Sequence, residues 1–277
     1  MKFIKAHGAG NDFILIDDRE LLFPIEDVSL IERLCHRRFG IGADGLILLQ
    51  NSAQADYRMR YFNSDGREAA LCGNGLRCFA AFVYYLGDFK ESVLVETENG
   101  HIQTKRKGSQ ITTCFPPPKF IKAFPLALTS GIREVYFVDS GLPNAVFFSE
   151  DLDEEELADF GREVRYHPAF APQGVNVTLV ECKDKVNVHI RTYERGVEAE
   201  TLACGTAALS VAKVLAELKR YDRVVIYPAS DDPLEIDTTS WELTGPAQLV
   251  FEGYINLKAA VDKRLNSDHC HSKTRTL

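Results

Sequence analysis

The sequence predicts an α+β protein of two pseudo-symmetric domains, each a strand-rich antiparallel sheet wrapped around a central helix, with the functional site in the cleft between them. Three observations predict it. A Cys-Gly pair heads a helical apolar run twice, at Cys72-Gly73 and at Cys204-Gly205. The patterns before and after each pair recur in the same order in both halves. Between the halves stands Pro116-Pro117-Pro118; consecutive prolines lack N–H donors and fix φ, so they stop a strand and form a stiff connector.

Taken in order, the first half opens with Gly10-Asn11-Asp12-Phe13-Ile14-Leu15, echoed later by Gly174-Val175-Asn176-Val177-Thr178-Leu179. A helix is expected over about 26–39, where Leu30, Ile31, Leu34 and Cys35 share one apolar face and Gly40 fits the C-cap. Alternation at 57–62 reads as a strand, followed by a polar loop to Cys72 and a helix to about Leu86. Asn99-Gly100, between Val93-Leu94-Val95 and Ile102-Gln103-Thr104, is a strong hairpin signal. In the second half a helix is expected around 154–160 and a strand over 186–193. A polar loop then leads to Cys204 and a helix to about Leu218. The return between Leu234-Glu235-Ile236 and Trp241-Glu242-Leu243 matches the first hairpin. At the 132-residue offset of the two cysteines, Gly73, Ala80 and Leu86 align with Gly205, Ala212 and Leu218. Duplication accounts for that order better than chance does. The expected domains are 1–116, completed by about 265–277, and 117–264; the polar tail from about Ser267 is expected to fray.

Composition bounds the function. A chain of 277 residues allows one large or two modest domains, and 45% apolar residues is ordinary for a globular protein. A formal charge of -8 leaves nucleic-acid binding without an electrostatic footprint. The most apolar stretch, 79–86, falls far short of the roughly 20 residues a bilayer requires, so no membrane partner is expected. The N-terminus turns polar too soon for a secretory signal. Seven cysteines, an odd number without framework spacing, read as reduced thiols of a cytoplasmic protein. The seven histidines show no zinc-like pairing, so no metal is expected. Gly8-Ala9-Gly10-Asn11 lacks the third glycine of a dinucleotide fingerprint, and no residue pattern asks for a cofactor.

A lone free cysteine is usually a small buried hydrophobe, which is the reading for Cys35, Cys78, Cys114 and Cys182. Cys72 and Cys204 differ because a helix start, a following glycine and internal symmetry coincide at each. A helix N-terminus favours anions and lowers a thiol's pKa. Two such thiols face to face can take a proton from one side of a carbon and return it from the other, which points to a racemase or epimerase. The competing reading is a thiol redox protein in which the same pair forms a disulfide.

The motifs His7-Gly8-Ala9-Gly10-Asn11-Asp12-Phe13, Phe62-Asn63-Ser64-Asp65-Gly66, Leu71-Cys72-Gly73-Asn74-Gly75-Leu76-Arg77-Cys78, Tyr193-Glu194-Arg195-Gly196 and Ala203-Cys204-Gly205-Thr206 resemble the diaminopimelate epimerase family, in the same order and across residues 2–253. The resemblance implies a cofactor-independent isomerase, a homodimer acting on a small amino acid. It implies interconversion of LL- and meso-diaminopimelate for lysine and peptidoglycan synthesis, with Cys72 and Cys204 as the two bases. N–H groups at Gly73, Asn74, Gly205 and Thr206 would clasp the α-carboxylate where carbanion charge develops. Asn11, Asn63, Asn176, Glu194 and Arg195 carry over as substrate-binding positions; Arg195 suits a distal carboxylate and Glu194 an ammonium.

Two departures bear on specificity. Where the family reads Gly-Asn-Pro-His, this chain reads Gly141-Leu142-Pro143-Asn144. The family's asparagine helps hold the distal end of the substrate and its histidine supports acid-base chemistry near the thiols. Leu142 offers no side-chain hydrogen bond and Asn144 cannot titrate. The loop between Gly196 and Cys204 also has one extra residue. The expectation is broadened substrate range, with slow racemisation of an acidic amino acid such as glutamate.

Overall fold

A computed structural model describes residues 1–69 and 71–257. The first lobe runs β1 (Lys2–Gly8), β2 (Asn11–Asp17), α1 (Val28–Cys35), β3 (Gly45–Gln50), β4 (Tyr57–Asn63), β5 (Glu68–Ala69), α2 (Gly73–Tyr85), β6 (Ser92–Thr97), β7 (Gly100–Lys107) and β8 (Gln110–Cys114). The second runs β9 (Lys119–Leu128), β10 (Gly131–Asp139), β11 (Pro143–Phe148), α3 (Leu157–Arg165), β12 (Asn176–Cys182), β13 (Asn187–Glu194), β14 (Ala199–Thr201), α4 (Gly205–Lys219), β15 (Arg223–Tyr227), β16 (Leu234–Asp237) and β17 (Glu242–Pro246). β18 (Gln248–Tyr254) follows and lies antiparallel on β1.

The pairing makes the duplication explicit. In the first lobe the strands neighbour one another as β18-β1-β2-β3-β4-β6-β7-β8; in the second as β9-β10-β11-β12-β13-β15-β16-β17. Each lobe carries a short side strand, β5 on β4 and β14 on β13. β8 pairs with β17 and joins the lobes into one 18-stranded sheet. The sheet is antiparallel except at β2–β3, β4–β6, β11–β12 and β13–β15. Each exception is spanned by one helix, which is what a parallel neighbour requires. β18 occupies in the first lobe the place that β9 holds in the second, so the chain returns to its first lobe at residues 248–254. The expected completion by 265–277, and the fraying tail, lie outside the described residues.

The helices divide by how much of their circumference is apolar. α2 buries Leu76, Cys78, Phe79, Phe82 and Val83 among sheet residues such as Phe13, Ile47 and Met59. α4 buries Ala207, Ala208, Leu209, Val211, Ala212, Val214 and Leu215. Burial nearly all round is the mark of a helix inside a core. α1 and α3 bury one face each, against the outer side of the sheets.

α1 and α3 correct the expected boundaries. α1 is shorter than 26–39: the Asp27 side chain caps it by accepting from the Leu30 N–H at 2.9 Å, and the chain leaves the helix at His36. Gly40 then folds back so closely that a Cβ would fall 1.9 Å from the Arg33 carbonyl oxygen. This departure frees Arg37 for the pairs described below. α3 begins at Leu157 rather than 154 and continues to Arg165. No described helix is long and apolar enough to cross a membrane.

Candidate active site

Cys72 is the N-cap of α2 and Cys204 the N-cap of α4, each in extended backbone. The two helix starts abut. A Cβ added to Gly205 would lie in van der Waals contact, 3.9 Å from the Gly73 Cα and from the Asn74 Oδ1. Asn74 Nδ2 donates across the lobes to the Ala203 carbonyl at 3.1 Å, one residue before Cys204. Two further contacts lock the lobes. Ala9, wholly buried with φ 54°, belongs to the second-lobe core. Leu202 packs on Gly10, where φ is +82° and a Cβ would come within 2.8 Å of the leucine Cδ1.

Around Cys72, the Gly75 N–H donates to Sγ at 3.5 Å, while Sγ itself lies 3.5 Å from Asn11 Oδ1 as donor. Asn74 Nδ2 also reaches Asn11 Oδ1 at 3.2 Å. Around Cys204, Sγ is 3.3 Å from the Thr206 hydroxyl and 3.9 Å from Asn176 Nδ2. Asn176 Oδ1 accepts from the Arg195 N–H at 2.9 Å, which turns the amide nitrogen toward the thiol. Glu194 faces Cys204 and accepts from the Thr201 hydroxyl at 2.9 Å.

A helix N-terminus favours a thiolate, but at both cysteines the balance lies the other way. Enclosure in protein pushes Cys72 up to about 11, against the downward pull of the Gly75 and Asn74 N–H groups. Enclosure pushes Cys204 up as well, and the Glu194 carboxylate adds to it. Desolvating a thiolate costs more here than a partial charge at a helix end returns. Both cysteines rest as thiols. Enclosure also raises the Glu194 carboxyl, with the Thr201 hydroxyl and the Cys204 thiol opposing as donors.

The geometry thus gathers Asn11, Cys72, Gly73, Asn74, Asn176, Glu194, Cys204, Gly205 and Thr206. Two predicted residues stand apart in their side-chain bonds. Asn63 is exposed at the end of β4 and accepts from the Tyr61 hydroxyl at 2.7 Å. The Arg195 guanidinium reaches the Gln173 carbonyl at 3.4 Å. Asn144 is wholly buried; its Nδ2 donates to Ser140 Oγ (3.1 Å) and to the Leu142 carbonyl (2.7 Å). Ser140 Oγ donates in turn to the Thr206 carbonyl at 2.9 Å, so this network braces the first turn of α4.

Two residues that hold the site's amides escaped the sequence reading. Arg77 lies wholly buried on α2, with its NH2 group donating to Asn74 Oδ1 at 2.8 Å and its Nε to the Pro246 carbonyl at 3.3 Å. It sits within the quoted Cys72 motif, where only a buried charge could have marked it. Asp44 takes the Asn11 Nδ2 at 2.7 Å; its only signal was the Gly42-Ala43-Asp44-Gly45 turn.

Fold and site define a two-lobed protein of the racemase and isomerase fold. A hydroxyproline epimerase from Agrobacterium vitis, solved with trans-4-hydroxy-L-proline, superposes with TM-score 0.70 at 15% identity over 92% of this chain and 90% of that one. A PhzF-family phenazine biosynthesis protein from Bacillus anthracis gives TM-score 0.71 at 17% identity over 92% and 99%. At such identities the likeness is one of fold. Sequence carries it further: the family model described as diaminopimelate epimerase matches residues 3–119 and 136–250. The diaminopimelate epimerase of Flavobacterium psychrophilum is 36% identical over 91% of this chain and 99% of its own length. That of Archaeoglobus fulgidus is 37% identical over 92% and 96%. The chain belongs to the diaminopimelate epimerase family.

Proposed function

We propose that the chain is an isomerase that interconverts LL- and meso-diaminopimelate, in lysine and peptidoglycan precursor synthesis, by two-base proton transfer between Cys72 and Cys204. The observation that carries the reading is the pair of thiols capping two abutting helices, one from each lobe. An amino-acid α-hydrogen is a very weak acid, so the substrate carboxylate must be met by preorganised donors as the carbanion forms. The first-turn N–H groups at Gly73, Asn74, Gly205 and Thr206 supply them at the helix junction. A resting thiol must lose its proton to become the base. Glu194, ionised and facing Cys204, is the group to take that proton, and is neutral once it has done so. The Cys72 thiol then delivers its proton to the opposite face, and the roles exchange in the reverse direction. By the family resemblance, Arg195 and Asn63 are the groups for the distal end of the substrate.

Incubating the purified protein with LL-diaminopimelate and separating stereoisomers by chiral chromatography tests the reading; no meso isomer would refute it. The cytoplasm is its compartment, in keeping with a mechanism that needs reduced thiols. A homodimer is the expected assembly: β18 pairs among the described residues only with β1 and exposes Val250, Phe251 and Tyr254, an open edge for a second copy. Light scattering at a monomer mass would refute the dimer.

A further inference from the structure

The orientation of one side-chain amide decides whether Cys72 faces an acceptor or a donor. Asn11 presents its Oδ1 to Cys72 Sγ and to Asn74 Nδ2, while its Nδ2 points the other way to Asp44 Oδ2 at 2.7 Å. An ionised carboxylate accepts hydrogen bonds and donates none. Asp44 therefore holds the amide nitrogen and leaves only the oxygen for the thiol. We propose that Asp44 is a positioning residue, which acts through Asn11 to keep a carbonyl oxygen, rather than an amide nitrogen, against Cys72.

Asp44 is itself fixed from several sides. Its Oδ2 also accepts from the Asp12 N–H at 3.2 Å, and its Oδ1 accepts from Arg37 at 2.7 Å. Its own N–H reaches the Asp12 carboxylate and carbonyl, both at 3.0 Å, and its carbonyl accepts from the Ser64 N–H at 3.0 Å. Arg37 grips Asp12 as well, at 3.0 and 2.8 Å. The buried Lys5 ammonium donates to Asp12 at 2.7 Å and to the Gly42 carbonyl. Two carboxylates thus share two cations, and the cluster carries no net charge that would draw Asp44 away. The β2–β3 register puts Phe13 opposite Gly45 and so sets Asp44 beside the start of β2, where Asn11 lies.

The consequence is chemical. An acceptor against the sulfur stabilises the S–H form, whereas an N–H there would stabilise the thiolate. Asn11 so poised holds a proton on Cys72, as an acid awaiting the carbanion must. The same oxygen anchors Asn74, whose second N–H spans to the Ala203 carbonyl. The other charged and titratable groups facing Cys72 are Arg77 and Cys78 on α2, Tyr61 on β4, Glu194 on β13 and Cys204 at the head of α4.

The inference assigns Asn11 a task within the two-thiol reading, and its test needs no turnover. The rate of Cys72 alkylation by iodoacetamide, followed by peptide mass spectrometry over the alkaline range, reports the thiol's titration without substrate. Asp44→Ala frees Asn11 to turn its nitrogen to the sulfur, and the Cys72 midpoint should fall by about one pH unit. In an Asn11→Ala background the same substitution should move nothing further. Asp44→Asn, whose amide oxygen can still accept from Asn11 and from the Asp12 N–H, should keep the wild-type profile. A shift that persists without the Asn11 side chain, or that Asp44→Asn reproduces in full, would show a simple charge effect and overturn the proposal. If Asp44→Ala does not fold, Asp44→Asn and Asn11→Ala decide it: Asn11→Ala, which removes the acceptor, must lower the midpoint. Failure of the epimerase reading would show instead as absent isomerisation with this titration behaviour intact.

Discussion

Asn74→Ala is the perturbation that most directly probes how the two helix starts are held together. Asn74 is 2% exposed and makes three bonds with one amide: Nδ2 to Asn11 Oδ1 at 3.2 Å, Nδ2 to the Ala203 carbonyl at 3.1 Å, and Oδ1 from Arg77 at 2.8 Å. The two neutral bonds contribute about 1 kcal/mol each, and one from a charged donor about 1.5–3 kcal/mol. Arg77 is wholly buried, and its NH1 has no protein partner already. Removing Asn74 leaves that guanidinium with the Pro246 carbonyl alone, so the stranded charge dominates. The expected destabilisation is about 4 kcal/mol, read as the shift in urea midpoint followed by circular dichroism at constant slope. Arg77→Met in the same chain removes the stranded charge, so the double variant should recover about 2 kcal/mol relative to additivity. A cost of Asn74→Ala below about 1 kcal/mol would refute the claim that this amide bridges the lobes, and strict additivity with Arg77→Met would refute the claim that it holds the buried guanidinium.

Three further outcomes follow from the structure. Leu142→Asn, which restores the residue the family carries at this position, should sharpen preference for diaminopimelate over glutamate by about 1–3 kcal/mol if one hydrogen bond to the substrate is regained. Assays of both proteins with diaminopimelate and with L- and D-glutamate check it, and an unchanged ratio contradicts it. The Asp12 carboxyl is held at about 2: its enclosure works upward, but Arg37 and Lys5 outweigh it. Because the folded value lies below the unfolded one, this group stabilises the fold above about pH 4 and loses that contribution as pH falls toward 2, on the order of 2 kcal/mol. Asp12→Asn should therefore be less stable at neutral pH, with a shallower acid limb in thermal melts; an unchanged acid limb would contradict it. Wild-type Cys72 should alkylate slowly at neutral pH and accelerate toward its midpoint at about 11; rapid labelling at neutral pH would show the dipole prevailing over desolvation.

Much of the fold was legible because its central elements announce themselves locally. Each Cys-Gly pair heads a run apolar on all sides, and α2 and α4 are the two enclosed helices. The Asn99-Gly100 hairpin appears as β6–β7, with Gly100 at φ +101°. What was not legible depends on partners distant in sequence. Nothing in Gln248–Tyr254 says that it pairs with Lys2–Gly8, because strand partnership is set by the other edge. α1 ends early because Gly40 packs on its last turn and Arg37 turns to Asp12 and Asp44, contacts no periodicity encodes. The site divided in the same way. Thiols at helix starts followed from sequence, but the direction of their pKa did not, since enclosure is a property of the assembled lobes. Asp44 and Arg77 act through the Asn11 and Asn74 amides, and only the β2–β3 register and the helix junction bring those groups together.

The central claim is that Cys72 and Cys204 act from opposite faces of one carbon. The measurement that tests it most directly is incorporation of solvent deuterium at the α-position of LL-diaminopimelate, by NMR, for the wild-type protein and for Cys72→Ala and Cys204→Ala. The wild type should place deuterium at the α-carbon of the meso product in step with its formation, and neither variant should form meso product at all. Undiminished epimerisation by either single-cysteine variant, or substrate binding without any deuterium uptake by the wild type, would contradict the two-thiol account.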